Sequence, residues 1–504
     1  LPTRAWQLAL GGLVALTVVQ WRRLSPRAGA IIGWAGLALI LLACTRLSAT
    51  TLYPGVAALS PTLGAALVIG AGCAAPVQGC GRVLGLSPMR AMGRISYSWY
   101  LWHWPVLVLA PALLGHPLGL AARVAAALVS AGLAVLTLRF IENPLRFAPA
   151  VRRSPGRSLA LGGAATAVAV GVGLALLLVV PTPIGRGAPA ATPTFAAAPV
   201  PAGSDAATYD AAVRHAFAQV QAAVAASADI KSIPSNLAPS FAGVETELND
   251  YTDNGCLRTP FQGGQPECAT GDTASSTTVA LVGDSHAGMW NPAFQQAAAQ
   301  RHWRLEALAK AACPLMDLPV ANPFRGLVEV FKHCQRWRAQ IMARLRAEHP
   351  RLVVVSTSRG YGADGGFDWG SSFIPYDPAW LDSLTRLVQQ LRGTGAKVLV
   401  LGPIADPHLD VPICLSSHLN DVTGCAPPQS TAVNKTGIAA EAAATASGGG
   451  QYFDLTDLFC TADRCPAIVG NTLVYLDWSH LTFEYSRVLA PVVGALADRA
   501  LAPE

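Results

Sequence analysis

The sequence is poor in charge. Only 13% of its 504 residues are Asp, Glu, Lys or Arg, whereas 52% are hydrophobic. A soluble globular chain usually carries about 25% charged residues, and the mean hydropathy here is +0.38. These values do not fit a fully soluble protein. The length also suggests at least two domains.

A clustered basic face is also missing. The net charge is +6, but the basic residues of the first part lie in short segments between apolar runs. Nucleic-acid binding requires a basic patch or stripe. We therefore expect a lipid bilayer, and no nucleic acid, as a partner.

The chain does not begin with Met, and no basic, apolar, small-residue signal precedes its first apolar run. Such a start indicates either processing or a fragment, and we favour a fragment.

No Cys-x-x-Cys pair occurs among the 11 cysteines, so we expect no metal site. Eight of them lie in the polar second part, which predicts a disulfide framework and an oxidising compartment. Pairing of neighbours would join Cys256 to Cys268, Cys313 to Cys334, Cys414 to Cys425 and Cys460 to Cys465, although sequence alone leaves the connectivity open.

Six apolar runs fill the first part, near 4–21, 28–48, 61–76, 95–114, 118–142 and 158–181. A transmembrane helix needs about 20 apolar residues, so the run at 61–76 is short. Arginines lie mainly in alternate connections, after the first, third and fifth runs. By the positive-inside rule these connections are cytoplasmic, and six crossings would place everything after about residue 182 outside.

The second part opens with a Pro-, Ala- and Thr-rich linker at 182–205 and a helix near 206–227. From about 275, strand-like runs at 278–282, 352–356 and 397–401 alternate with helical stretches at 326–348 and 378–394. This alternation predicts a parallel sheet covered by helices. Reactive groups are expected at the carboxyl ends of its strands.

The sharpest local pattern is a buried strand that runs into Gly283, Asp284, Ser285 and His286 and then a helix. It places the Ser285 hydroxyl at a strand-to-helix corner, where backbone N–H groups can face an oxyanion. We expect Gly283, Asp284 and His286 to support the nucleophile or its oxyanion site. Alternatively, the serine only caps the helix.

Near the end of the chain, Asp477 and His480 are three residues apart, so one tight turn can aim both the same way. A serine needs a base to become a nucleophile, and the imidazole needs an orienting carboxylate. The alternative is a structural hydrogen bond within the loop.

These two segments resemble the SGNH, or GDSL-like, hydrolase family, which carries its nucleophile in Gly-Asp-Ser and its other catalytic residues in Asp-x-x-His. The resemblance implies catalytic roles for Ser285, Asp477 and His480. The family also uses a Gly and an Asn from two middle blocks in its oxyanion hole. Here the strand at 352–356 continues as Ser-Thr-Ser-Arg-Gly, without an Asn.

The first part carries an unusual polar segment at 92–105, with Arg94, Ser96, Tyr97 and His103 among three tryptophans, and a second one at 139–146, with Glu142 and Arg146. Ionisable groups within a membrane are costly and usually functional. The alternative is an interfacial aromatic belt with a snorkelling helix end.

Both segments resemble the acyltransferase-3 family, in the subgroup with a fused C-terminal SGNH domain. The resemblance implies transfer of an acyl group, often acetyl, from cytoplasmic acyl-CoA to an envelope glycan or glycolipid, with no bound cofactor. The family's bundle has more helices before this point. Because its early membrane histidine and arginine have no counterpart here, we expect that this polypeptide alone does not use acyl-CoA.

We therefore predict an α-helical transmembrane bundle followed by an α/β SGNH-like domain. Its parts are a partial acyltransferase domain (1–150), a linking transmembrane helix (151–181), an extracytoplasmic linker and helical extension (182–274) and a catalytic domain (275–504) of a multi-pass plasma-membrane protein. The predicted function is O-acyl transfer to an envelope carbohydrate. The alternatives are a carbohydrate esterase, a membrane-anchored glycan-binding module and, from the helices alone, a transporter.

Overall fold

The computed structural model describes residues 5–47, 56–114, 118–179, 185–201, 203–253, 255–318, 328–362 and 373–503. The chain divides into two compact units, Leu1–Val180 and Pro181–Glu504.

The first unit is helical. Its helices are α1 (Ala5–Leu16), α2 (Val18–Arg22), α3 (Pro26–Arg46), α4 (Leu59–Ala74), α5 (Cys80–Leu84), α6 (Ser87–Leu114), α7 (Leu120–Thr137), α8 (Asn143–Arg146), α9 (Pro149–Arg152) and α10 (Pro155–Val179), with a π-helical turn at Leu138–Glu142.

Small residues hold α3 and α4 together. A Cβ added at Gly36 would lie 2.7 Å from the carbonyl oxygen of Gly64, and a Cβ at Gly64 would lie 2.7 Å from that of Gly36. Close backbone approach at small residues is typical of helix pairs in lipid. This contact therefore depends on the absence of side chains at both positions.

Three helices of the described part are long and apolar enough to cross a membrane, namely Pro26–Arg46, Leu120–Arg146 and Pro155–Leu176. Helices α1 and α4 cover two other predicted runs but are shorter. The run predicted at 95–114 falls within α6, which begins earlier, at Ser87. The first unit is thus a helical region with some membrane-compatible helices, and six crossings remain a prediction.

The second unit is α/β. Its strands are β1 (Leu257–Arg258), β2 (Ala269–Gly271), β3 (Thr278–Gly283), β4 (Arg304–Lys310), β5 (Leu352–Ser356), β6 (Lys397–Leu401), β7 (Gln451–Phe453), β8 (Ile468–Val469) and β9 (Thr472–Leu473). Its helices are α11 (Ala206–Ser227), α12 (Phe241–Asp253), α13 (Ser285–Arg301), α14 (Val328–Glu348), α15 (Pro378–Arg392), α16 (Val411–Ser417), α17 (Gln429–Ala432), α18 (Lys435–Ser447), α19 (Phe483–Val488) and α20 (Ala490–Leu501).

The main sheet has the strand order β1-β4-β3-β5-β6-β7, all parallel, with β2 antiparallel to β4. Successive side chains of β3 enter different cores, because Val279 and Leu281 pack in one hydrophobic cluster and Ala280 and Val282 in the other. Both faces are therefore covered by helices, and β3 lies inside the sheet between β4 and β5.

The predicted strands at 278–282, 352–356 and 397–401 are confirmed as β3, β5 and β6, and the predicted helix at 206–227 as α11. The helices predicted at 326–348 and 378–394 are α14 and α15, although positions 326 and 327 lie outside the described residues. The remaining strands, which are β1, β2, β4, β7, β8 and β9, were not predicted.

Strand β4 was not predicted because two of its buried residues are charged, which interrupts the apolar pattern of a buried strand. Glu306 is fully buried, and Arg304 and Arg344 donate to it at 2.5 and 2.7 Å. Lys310 is also fully buried and donates to the carbonyl oxygens of Thr259 and Gln262 at 2.7 and 2.6 Å. Buried charges require such partners, which local sequence does not reveal.

Four disulfides cross-link the second unit, joining Cys256 to Cys268, Cys313 to Cys334, Cys414 to Cys425 and Cys460 to Cys465. Disulfides of this number indicate an oxidising compartment. His418 lies close to Cys414 and Cys425, but those two sulfurs are bonded to each other, so neither is available as a thiolate ligand.

Candidate active site

Ser285 lies where an inner strand of the sheet meets a helix. Strand β3 ends at Gly283 and α13 begins at Ser285. Gly283 has φ of +150°, and a Cβ there would lie 1.9 Å from the carbonyl oxygen of Ser356 on β5. Because only glycine tolerates this contact, Gly283 permits the tight corner that presents Ser285 at the carboxyl end of β3.

The buried side chain of Asp284 stabilises this strand-to-helix corner by hydrogen bonds. It is fully buried. Its Oδ1 accepts from the backbone N–H of His286 at 2.8 Å, and its Oδ2 accepts from the backbone N–H of Ser358 at 2.8 Å and the Tyr361 hydroxyl at 2.7 Å. Burial raises the pKa of Asp284, although these donors oppose the rise. Asp284 thus connects the turn before Ser285 to the segment after β5, through hydrogen bonds to Ser358 and Tyr361.

A tight turn presents the other two triad residues. Tyr475 and Leu481 form an antiparallel bridge around it. Asp477 Oδ1 accepts from the backbone N–H groups of Ser479 and His480 at 2.6 and 2.8 Å. These bonds aim the Asp477 carboxylate and the His480 ring in the same direction.

The structure brings Ser285, His480 and Asp477 together. His480 Nδ1 lies 2.7 Å from Asp477 Oδ2, and His480 Nε2 lies 2.8 Å from Ser285 Oγ. Burial alone would raise the pKa of Asp477, but hydrogen bonds from His480 and two backbone N–H groups bring it below its ordinary value. An ionised Asp477 holds the proton of His480 on Nδ1 and leaves Nε2 to accept the proton of Ser285.

A cleft of about 630 Å³ opens beside the triad. Its wall includes His286, next to the nucleophile, and Trp478 and Ser479, next to the base. Ligand sites commonly measure roughly 300–1,000 Å³, so the cleft has room for a sugar unit. Neither this cleft nor a smaller cavity of about 170 Å³ has a triad residue in its own lining, so the cleft adjoins the triad through these sequence neighbours of Ser285 and His480.

The segment after β5 forms another part of the cleft wall. Arg359 there pairs with the fully buried Glu441 of α18, with Nε 3.2 Å from Oε1 and Nη2 2.5 Å from Oε2. Glu441 also accepts from Trp380 Nε1 at 2.8 Å and the Tyr452 hydroxyl at 2.9 Å. This network fixes the position of Arg359 in the cleft wall, and sequence reasoning did not find it.

Tyr376, also on the cleft wall, is held in an unusual conformation. Its φ is +73°, which is rare for a bulky residue and often marks a functional site. A Cβ at Gly437 would lie 2.5 Å from the Tyr376 ring, so α18 leaves space for this side chain.

The polar residues of the first unit come together only in part. Glu142 Oε2 accepts from Ser98 Oγ at 3.0 Å, and Glu142 Oε1 lies 3.4 Å from Arg146 Nη1. Among the contacts of the described residues, Arg94, Ser96, Tyr97 and His103 do not join this cluster; Ser96 Oγ donates to the carbonyl oxygen of Gly93, and His103 Nδ1 lies 2.7 Å from that of Tyr100. Ser98 was not singled out from the sequence.

Comparison with known proteins agrees with this geometry. A family model described as "SGNH domain (fused to AT3 domains)" matches residues 252–495, so the second unit contains an SGNH domain. The match does not extend to the helical unit, and an acyltransferase-3 domain is not detected there. Such a domain with a Ser-His-Asp triad indicates an acyl-transfer or hydrolase enzyme.

One solved structure with some similarity is the periplasmic domain of the Salmonella ser. Paratyphi A lipopolysaccharide acetyltransferase. It is 14% identical, the match covers 50% of this chain and 89% of that chain, and the TM-score is 0.36. Among curated proteins, none matches the sequence significantly.

Proposed function

We propose that the protein is a membrane-bound O-acyltransferase, of the acyltransferase-3 type with a fused SGNH domain, that modifies an envelope polysaccharide, peptidoglycan or glycolipid. The observation that carries the proposal is the Ser285–His480–Asp477 relay beside a cleft of about 630 Å³. The acyl group is derived from acyl-CoA, most simply acetyl-CoA, by the full-length protein, and no cofactor is bound.

In the first step, His480 Nε2 takes the proton of Ser285 as Oγ attacks the acyl carbonyl. The tetrahedral intermediate collapses, the bond to the leaving group breaks, and His480 returns the proton to that group. Ser285 is then esterified. Asp477 stabilises the imidazolium that exists between the two proton transfers.

In the second step, an acceptor hydroxyl attacks the acyl-enzyme. His480 takes the hydroxyl proton, the new ester bond forms, the Ser285 ester breaks, and the proton returns to Oγ. The cleft wall offers an aromatic ring, Trp478, and polar groups such as Asp406 and Asn434, a mixture that suits a sugar. Water in place of the sugar would make the same site an esterase.

The remaining parts of the proposal concern location. The disulfides favour an extracytoplasmic second unit, and the apolar helices favour a multi-pass anchor in the plasma membrane. The Ser98–Glu142–Arg146 cluster is then a polar site within the membrane part, where charged groups are usually functional.

The test uses the whole chain in detergent, with p-nitrophenyl acetate as donor and soluble envelope glycans as acceptors. We expect nitrophenol release and acylated glycan, detected by mass spectrometry, and a loss of about 10⁴-fold or more in Ser285→Ala. Ser447→Ala, at an exposed serine of α18, is the control that retains activity.

Release without acylated glycan would favour the esterase. If Ser285→Ala matches the wild type, the triad assignment is wrong, and a non-catalytic glycan-binding module becomes the better interpretation.

A further inference from the structure

The oxyanion site of this chain cannot use the amide that the SGNH pattern places after β5, because the segment 356–360 contains no Asn. Two of its polar side chains have other partners, and a third, Thr357, has a buried hydroxyl that lacks a partner among the described residues but does not line the cleft. Ser358 Oγ accepts from the backbone N–H of Gly360 at 3.1 Å, and Arg359 donates to Glu441 and to the carbonyl oxygen of Thr357. The segment therefore offers no side-chain amide to the oxyanion, and another element can supply the donor.

His286 lies beside the nucleophile, where it could donate to an oxyanion. It follows Ser285 directly, forms part of the cleft wall, and its ring centroid lies 5.3 Å from that of His480. The side chain is only 7% exposed, and its Nε2 is buried without a hydrogen-bond partner among the described residues. A buried nitrogen without a hydrogen-bond partner destabilises the folded state. We therefore infer that Nε2 of His286 has a functional role.

The charge state of His286 fits a hydrogen-bond donor that keeps its proton. Burial and the neighbouring His480 both lower the pKa of His286 well below its ordinary value, so the ring is neutral in the working enzyme. A neutral imidazole carries one N–H. It can stabilise an oxyanion without transferring a proton, as neutral histidine electrophiles do in other enzymes.

We propose that His286 is a catalytic residue whose imidazole contacts the acyl group on Ser285 and donates a hydrogen bond to the oxyanion of the tetrahedral intermediate. This inference rests on the acyl transfer proposed above. It assigns to His286 the role that an Asn side chain fills in the SGNH pattern.

The test compares two donors that differ in one atom, p-nitrophenyl acetate and its thionoester, in which sulfur replaces the carbonyl oxygen. Sulfur accepts hydrogen bonds poorly, so a lost oxyanion donor slows the oxygen ester more than the thionoester. Loss of one oxyanion donor typically costs about 10²–10³-fold in kcat. We expect His286→Phe, which keeps a ring but no N–H, to lose about 10²-fold with the oxygen ester and far less with the thionoester.

Two matched variants locate the donor atom. The amide nitrogen of Gln reaches approximately where Nε2 lies, whereas that of Asn reaches approximately where Nδ1 lies. We therefore expect His286→Gln to recover part of the oxygen-ester rate and His286→Asn to recover less. Thermal unfolding of each variant shows whether it is folded.

The outcomes separate the two proposals. If folded His286→Phe slows both esters equally, or not at all, while Ser285→Ala abolishes turnover, His286 does not bind the oxyanion and the triad assignment stands. If the wild type shows no Ser285-dependent turnover, the proposed function fails and the role of His286 fails with it.

Discussion

The two units of the chain use apolar side chains in opposite ways. In Leu1–Val180 most described buried residues are small, such as Gly36 and Ala71, while Leu8 is 82% exposed. In Pro181–Glu504 the largest side chains, such as Trp290 and Trp337, are buried almost completely. The two units therefore differ in which side chains they bury.

Water and lipid differ in which side chains they leave to be buried. Water drives large apolar side chains inward, which explains the two cores of the second unit. Lipid tails are as apolar as leucine, so helices in a bilayer gain little by burying leucine and instead pack through small residues. The exposed apolar surface of the first unit is therefore what a lipid-facing surface requires.

Glycine illustrates the comparison, because it permits close approach in both units but of different elements. Among the substitutions considered, we expect Gly283→Ala in the second unit to have the largest effect on stability. A Cβ there would meet the carbonyl oxygen of Ser356 at 1.9 Å, so Gly283→Ala must push β3 and β5 apart or deform the corner at Ser285. We expect a loss of about 3 kcal/mol in the free energy of unfolding, and an inactive site.

The control is Gly424→Ala, where the nearest atom to an added Cβ is 4.0 Å away. Thermal unfolding and Ser285-dependent nitrophenol release are measured for both variants. Equal stability of the two variants would show that β3 and β5 do not need this contact, and the account of the corner would fail.

Local pattern was sufficient to predict strands β3, β5 and β6 and the two triad segments. The segments 279–282 and 352–355 are purely apolar, and the polar residues that follow lie at the carboxyl ends of these strands. The spacing of Asp477 and His480 predicts a shared turn. These features are local, so the sequence alone was enough.

The buried polar contacts of the fold and the site could not be predicted, because their partners are distant in the sequence. Glu441 lies 82 residues from Arg359, and Asp284 lies 77 residues from Tyr361. These pairs exist only in the folded second unit, so the local sequence shows each residue as a lone charged or polar side chain. In the first unit the same limit applies to Ser98 and Glu142, which are 44 residues apart.

A smaller stability effect is expected in the helical unit, at the contact between α3 and α4. Gly64→Ala places a Cβ 2.7 Å from the carbonyl oxygen of Gly36 and should separate the helices at a cost of about 1–2 kcal/mol in the free energy of unfolding, as overpacking does. Gly72→Ala, on the same helix, has no atom within 4 Å of the new Cβ and is the control.

The measurement is the thermal midpoint of the detergent-solubilised chain for these two variants. Because alanine has a higher helix propensity than glycine, Gly72→Ala should not destabilise the helix. If it destabilises as much as Gly64→Ala, the close contact between Gly64 and Gly36 does not explain the loss, and the contrast in packing between the two units is weakened.

The smallest effect concerns a pair of carboxyl groups in the second unit. Glu247 on α12 is 7% exposed, and its Oε2 accepts from the backbone N–H of Phe483 at 2.9 Å. Glu247 Oε1 and Glu484 Oε2 are both buried without a donor among the described residues. Ionised carboxylates have no hydrogen to donate. The two groups can therefore hydrogen-bond to each other only when one of them is protonated.

Burial, followed by the hydrogen bond and charge of Glu484, raises the pKa of Glu247 to about 8, although Phe483 N–H and Arg487 oppose the rise. The folded state therefore favours protonated Glu247. The stability that this contributes is complete below the ordinary pKa of 4.5 and is lost as the pH rises through about 8.

Glu247→Gln replaces the acid with a neutral side chain of the same shape that keeps a donor at every pH. We expect it to raise the thermal midpoint of the second unit at pH 9 by about 2–4 °C relative to the wild type, and to change it little at pH 5. Glu245→Gln, at an exposed position of the same helix, should leave the pH dependence of the wild type intact. A Glu247→Gln protein that loses stability between pH 5 and pH 9 as steeply as the wild type would show that the carboxyl pair does not share a proton, and that the contact between α12 and α19 does not depend on one.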